Sequence, residues 1–233
     1  LWRLRQELRP TQRLEGTIMY DYRAKSWSFS ALHTYETCPL NYVLGRLSKG
    51  PRETSWALEE GLRIHALMEQ YLLGGIQGVP RELEKFSKEL KKFKKDGAAA
   101  EGEMCLDEDW NEMKVKNPWK SKKTWIRAKL DAENGPIIVD LKTGRQYEYY
   151  RGQGDLYATM KMNITDLKRV DVQFWYSKTG VVVTHKYLKK DNQKRMDSWD
   201  KRAMKLMGEK HWLPKLGDGC KWCNFKDQCE LQR

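Results

Sequence analysis

Asp131, Asp140 and Lys142 are the residues whose types and spacing could do chemistry in this chain. They lie in the stretch "LDAENGPIIVDLKTG". The apolar lead-in "IIV" reads as a central strand, and residues i and i+2 of a strand project from one face. Asp140 and Lys142 therefore point together, with Leu141 on the opposite face. A hairpin-like turn at "NGP" can bring Asp131, at the end of the preceding strand, beside them. Two carboxylates in one place suit a hard cation, Mg²⁺ or Mn²⁺. A lysine beside that cation can position a water and stabilise negative charge growing on phosphorus. A D-x-K triplet also occurs as a plain salt bridge on charged sheets. Its place at the end of an apolar strand favours a site, because open α/β sheets put their sites there. His65 lies one helical turn after Gly61, although a lone helical histidine is more often structural. Gln153 and Tyr157, spaced i, i+4, share a face of a later helix.

The second group is made of thiols. Cys220, Cys223 and Cys229 fall within ten residues near the end of the chain, and the other cysteines are Cys38 and Cys105. Cys105 lies in a strand and reads as a small buried hydrophobe. Cys38 precedes Pro39 at a helix break and can present a ligand. On chemistry alone, three close thiolates suggest structural Zn²⁺, modestly ahead of iron–sulfur. A zinc ribbon, however, usually carries two C-x-x-C pairs, and here there is one.

The elements that must hold these groups follow from periodicity. Residues 28–47 read as helix, capped by Ser30 and broken near Cys38 by Pro39. Residues 55–75 form a stronger helix with Leu58, Leu62, Leu67 and Leu72 near one face. Residues 81–95 form a basic amphipathic helix with Leu83, Phe86, Leu90 and Phe93 on its stripe. Strands follow at about 101–106, 124–132 and 137–142, then a helix near 148–161. A strand pair spans 171–188 around "SKTG", and a helix covers about 190–207. Residues 1 to about 25 show no sustained period and read as an arm. This order gives an α/β sheet covered by helices.

Composition narrows the partners. The chain has 233 residues and a net charge of +12. Such a surplus fits a polyanion, most often nucleic acid. Lys114, Lys116, Lys120, Lys122 and Lys123, with Trp119 and Trp125 among them, precede Asp131. They fit phosphate neutralisation and base stacking as well as they fit a solvated loop packed by its tryptophans. No apolar run is long enough to span a membrane, and the first ten residues are too charged for a signal peptide. The clustered cysteines do not resemble a secreted disulfide framework, so a reducing cytoplasm is expected. The first residue is Leu1, as in a trimmed or extended polypeptide.

In order and spacing these pieces resemble the PD-(D/E)XK nuclease superfamily, most of all its RecB-like branch with the CRISPR-adaptation nucleases and many phage exonucleases. The N-terminal motif of that branch reads here "SFSALHTYETCPLNY". Its G-x-x-x-H is Gly61 to His65, its first acid Asp131, its (D/E)-x-K "DLK", its Q-x-x-x-Y "QGDLY", and its terminal thiols Cys220, Cys223 and Cys229. Ala128 and Leu130 stand where the family often has glycine and proline, and neither is a ligand. The resemblance implies an α/β restriction-endonuclease-like core with a mixed sheet flanked by helices. It divides the chain into an arm (1–27), a nuclease core (28–219) and a cysteine segment (220–233). His65, Asp131, Asp140 and the Leu141 carbonyl would hold the divalent cation, with Lys142 acting on the attacking water. Gln153 and Tyr157 would line the DNA path, and Glu103 or Glu101 could contribute. It also turns the metal expected at the cysteines to a structural [4Fe–4S] cluster on Cys38, Cys220, Cys223 and Cys229, joining the chain's ends. The function implied is a Mg²⁺- or Mn²⁺-dependent DNA exonuclease in replication, recombination or repair. It would be phage-encoded, act on free ends of single- or double-stranded DNA in a bacterial cytoplasm, and have a recombination or replication protein as a further partner. The competing readings are a non-catalytic DNA-binding or adaptor protein on the same fold, and a zinc-stabilised binding module with an incidental "DLK".

Overall fold

The computed structural model describes residues 12–14, 17–19, 22–48 and 55–232. They divide into two compact units. One comprises residues 1–53 with 200–233, the other residues 54–199. Much of the expected arm lies outside the described residues. Within it, β1 (Gln12–Leu14) and β2 (Thr17–Met19) form an antiparallel pair.

The larger unit is built on a five-stranded sheet. Its strands are β3 (Ala99–Leu106), β4 (Ile126–Asn134), β5 (Ile137–Lys142), β6 (Arg169–Tyr176) and β7 (Val181–Leu188), in that spatial order. All neighbours are antiparallel except β5 and β6, which run parallel. Parallel neighbours need a crossover, and helix α5 (Tyr150–Ile164) supplies it. The "IIVDLK" strand is thus the middle one of a mixed sheet, flanked by helices as expected.

Val139, Leu141 and Trp175 face one core, with Ala132 beside them. Helix α3 (Trp56–Leu72) covers this face with Ile64, Met68, Tyr71 and Leu72. A 3-10 turn (Arg81–Phe86) and α4 (Ser87–Lys95) add Leu83, Phe86, Leu90 and Phe93. The stripe expected for 81–95 is buried, but its first turns are wound as 3-10 after Pro80 rather than as one α-helix. Of the leucine face expected on α3, Leu72 is buried and Leu67 packs partly buried against the core, but its first half is corrected. Leu58 and Leu62 are 51% and 64% exposed, and the buried face runs through Gly61, Ile64, Met68 and Tyr71. Steps of three and four hold one face of a helix, whereas the steps of five from Leu62 to Leu67 to Leu72 walk around it.

On the other side α5 packs against β6 and β7. A Cβ on Gly154 would lie 3.2 Å from both the Phe174 ring and the Tyr187 hydroxyl. Glycine is what lets this helix approach so closely.

The smaller unit contains α1 (Phe29–Thr37), capped by the Ser28 side chain rather than by Ser30, and the short helix α2 (Pro39–Tyr42). The chain breaks between them at Cys38, where the backbone is extended, and α2 runs on into a π turn at Val43–Leu47. From the other end of the chain, Arg202 forms a two-bonded ion pair with Glu36, and Trp212 stacks on Tyr42 with ring centres 5.6 Å apart. Helix α6 (Asn192–Gly208) carries the chain from residues of one unit into residues of the other. Among the described residues no helix is long and apolar enough to cross a membrane.

Replacing Gly154 with valine should overpack the α5–β6 contact and cost roughly 1–3 kcal/mol. Urea denaturation against the wild type checks this. An unchanged midpoint would mean that α5 does not depend on the close approach.

Candidate active site

The site begins where the sheet comes apart. The β4–β5 ladder has only three rungs, ending at Ala132↔Val139. The next rung would join Asp131 to Asp140, and there the strands diverge. On the other side of β4 the ladder runs through Ala100↔Ala132 and Gly102↔Leu130, yet the intervening rung from Glu101 to Asp131 is also missing. Glu101 has a left-handed φ of 54°, a conformation that costs a non-glycine residue energy and turns its peptide out of the ladder. Asp131 is therefore free of regular pairing on both sides. Its Oδ2 accepts the Leu141 N–H at 2.6 Å, and its Oδ1 lies 2.8 Å from His65 Nδ1.

His65 reaches Asp131 because α3 comes close to the end of β5. A Cβ on Gly61, one turn earlier, would lie 3.1 Å from Thr143 Oγ1. Burial works to lower the His65 pKa, but the hydrogen bond and charge of Asp131, with Asp140 behind it, outweigh burial and raise it.

Asp140 and Lys142 share a face, as their spacing requires. Lys142 Nζ lies 2.7 Å from Asp140 Oδ1 and donates to Gln153 Oε1 at 2.8 Å. The Gln153 amide donates to Asp140 Oδ2 at 2.7 Å and to the Tyr157 hydroxyl at 2.6 Å. Gln153 thus joins the acid to the lysine. Tyr157 is buried and holds the far side of the glutamine. Burial first, then the charge of Asp131, pushes the Asp140 carboxyl from 3.8 up to about 6, against the pull of Lys142. Tyr157 is raised well above 10, chiefly by burial, and stays a neutral hydroxyl.

All six side chains expected at the site, His65, Asp131, Asp140, Lys142, Gln153 and Tyr157, are joined in these contacts, with the Leu141 backbone among them. Glu101 pairs instead with Lys129, and Glu103 is exposed on β3. The five loop lysines are exposed, whereas Trp119 and Trp125 are half-buried. Tyr150 is a neighbour that sequence reasoning missed. Lys142 Nζ sits 4.1 Å from its ring centre. The signal was the tyrosine-dense "QYEYY" that follows "DLKTG" after Arg145.

Among the described residues no three His, Cys, Asp or Glu side chains stand together as a ready ligand set for one ion. At Asp131 and Asp140 the reason is visible. A buried and a half-buried carboxylate cannot face each other uncompensated, so Asp131 takes His65 and Leu141 while Asp140 takes Lys142 and Gln153. The donor chemistry, two carboxylates and an imidazole, still fits Mg²⁺ or Mn²⁺.

The four other thiols gather in the smaller unit. Cys38, Cys220, Cys223 and Cys229 line one cavity of about 280 Å³. Cys38 Sγ accepts the Lys215 N–H at 3.5 Å, and Cys223 Sγ accepts from Asn41 at 3.6 Å. Cys105 is buried in β3, as expected.

A mixed sheet that opens at its middle strand, to set two aspartates and a lysine against a helical histidine and glutamine, is consistent with a restriction-endonuclease-like core. The chain belongs to the PD-(D/E)XK nuclease superfamily, whose family profile matches residues 26–230. That membership points to a nuclease and to DNA as its partner. No curated protein matches the chain. A solved structure titled "Crystal structure of SSO0001" is similar at 14% identity and a TM-score of 0.45, over 92% of this chain and 90% of that one.

A pH dependence follows from the two raised groups. Asp140 holds its proton more tightly folded than unfolded, so its contribution to stability is complete below 3.8 and is lost as pH rises through about 6. The His65 contribution is complete below 6.5 and is lost above it, as pH rises through the raised value. Both act in the same direction. Urea midpoints in chelator should therefore fall from mildly acidic to mildly basic pH, and Asp140→Asn should remove the lower of the two steps. A wild-type-minus-variant difference that stays constant with pH would contradict this assignment.

Proposed function

We propose that this protein is a metal-dependent DNA exonuclease that hydrolyses phosphodiester bonds and carries a structural [4Fe–4S] cluster. The observation that carries the catalytic part is the network itself. Residues from α3, β4, β5 and α5 meet at the one place where the sheet opens. Members of the superfamily generally use a divalent cation such as Mg²⁺ or Mn²⁺, and His65, Asp131, Asp140 and the Leu141 carbonyl would hold it. When bound, the cation supplies charge stabilisation and makes water a stronger nucleophile at neutral pH. Lys142, anchored by Asp140 and Gln153, presents its ammonium group to charge developing on the phosphate. Gln153 orients that lysine, and the buried Tyr157 hydroxyl orients Gln153. Val139 and Leu141 close the floor behind the acids and keep water out.

At the cysteines, the shared cavity and the two N–H···S contacts support a cluster. A [4Fe–4S] cluster takes four thiolates, and Cys38, Cys220, Cys223 and Cys229 supply that number around the cavity. Its role is to bind the chain's two ends within the smaller unit. Free DNA ends are the substrate in this reading. The setting is replication, recombination or repair, in a bacterial cytoplasm and with a phage origin, with a recombination or replication protein as a further partner.

Purification without oxygen should yield a brown protein with iron and sulfide in equal amounts. A colourless preparation with stoichiometric zinc would sink the cluster. Cys223→Ser should lose iron and solubility together. End-labelled single- and double-stranded DNA should be degraded with Mg²⁺ or Mn²⁺, and Lys142→Ala should slow this by roughly a hundredfold or more. A wild type that cuts neither substrate would leave a non-catalytic DNA-binding protein as the reading.

A further inference from the structure

The catalytic lysine is the inner end of a row of rings. Lys142 Nζ lies 4.1 Å from the Tyr150 ring centre, and Tyr150 is itself half-buried and stacked on Phe174 at 5.9 Å. From Tyr150 the row runs outward. Tyr149 follows at 4.5 Å, and Tyr147 stacks on Tyr149 at 5.5 Å with their planes 20° apart while also meeting the Tyr150 ring edge-on at 5.8 Å. The outer two remain open to solvent, Tyr147 at 49% and Tyr149 at 40%. Arg145 and Arg151, both exposed, flank the row, with the exposed Glu148 between them. A near-parallel pair of half-exposed rings is an amphipathic surface, kept in order by an inner neighbour that packs on the sheet. Trp119 and Trp125 are poorer candidates for such a surface. Both are half-buried, and the Arg127 guanidinium already lies over Trp119 at 6.0 Å.

We infer that Tyr147 and Tyr149 form a stacking platform for an unpaired base next to the scissile phosphate, so that the substrate at the site is single-stranded DNA or a frayed single-stranded end. This rests on the nuclease reading for the identity of the polyanion. Lysines and arginines treat single and double strands alike through their phosphates. A ring can stack only on a base whose face is free, and every base has such a face, so the recognition is specific for strandedness and indifferent to sequence. The spacing also sets the stoichiometry. Rings 5.5 Å apart cannot admit a base between them, so one base stacks on the outside of the pair. Tyr150, bound to Lys142 and Phe174, transmits that position to the lysine and thus sets which phosphate lies beside it.

The test is binding without cleavage. A labelled single-stranded oligonucleotide and the blunt duplex of the same sequence are titrated in chelator and read by fluorescence anisotropy. The proteins compared are the wild type, Tyr147→Ala with Tyr149→Ala, and Tyr147→Phe with Tyr149→Phe. The alanine pair should weaken single-strand binding by about fivefold or more and duplex binding by less than twofold. The phenylalanine pair, which keeps both faces, should restore single-strand binding. An oligonucleotide of abasic sites should bind the wild type as weakly as the normal one binds the alanine pair. Equal losses on both substrates, or no loss on either, would overturn the platform. Thermal melting of both variants guards against misfolding. Because the readout needs no turnover, a wild type that binds through these tyrosines but cuts nothing with Mn²⁺ would overturn the nuclease reading alone. A wild type that cuts DNA with no dependence on the tyrosines would overturn the platform alone.

Discussion

The site depends on the separation of β4 from β5 after the Ala132↔Val139 rung. A continuous ladder would join the Asp131 and Asp140 backbones and bury Asp131 in regular pairing. The strands instead part, and β5 stays paired with β6 as far as Lys142↔Tyr176. The Leu141 N–H, left by β4, is satisfied by the Asp131 carboxylate, so the break leaves no orphaned donor. The strained backbone at Glu101 makes the same interruption on the opposite side of β4. One acid is thereby released from the sheet while the other remains rigidly on it.

The released and the fixed acid are held apart by different means. Asp131 is turned toward a helical histidine. Asp140 is held on its strand by a lysine and a glutamine in a buried setting, where charge pairs are strong and unpaired charge is costly. The glutamine satisfies three partners through both ends of its amide. That geometry requires α5 to lie close to the sheet, which Gly154 permits. A packing contact on one turn of a helix thus controls the electrostatics of the neighbouring strand.

The smaller unit shows a second use of long-range contact. The Arg202–Glu36 pair and the Tyr42–Trp212 stack hold its N-terminal helices to the C-terminal segment. Four thiols line a cavity within that frame, and two of them accept N–H groups, from Lys215 and from Asn41.

The sequence by itself determined the order of elements, because apolar period and turn chemistry are local. It determined that Asp140 and Lys142 project together, since a strand alternates with period two, and that the chain breaks at Cys38, since Pro39 cannot continue a helix from it. It misplaced the first half of the buried face of α3, putting Leu58 and Leu62 inside, where an uneven leucine spacing masked the stripe through Gly61, Ile64 and Met68. Other features were decided only in the tertiary structure. The splaying of β4 from β5, the bond from His65 to Asp131, the central place of Gln153 and the row from Lys142 to Tyr147 all join residues distant in the chain or turned toward one another by packing. Periodicity reports which face a residue occupies. It does not report where a ladder ends or which polar group takes up the donor left behind, because those outcomes depend on satisfying every buried group at once.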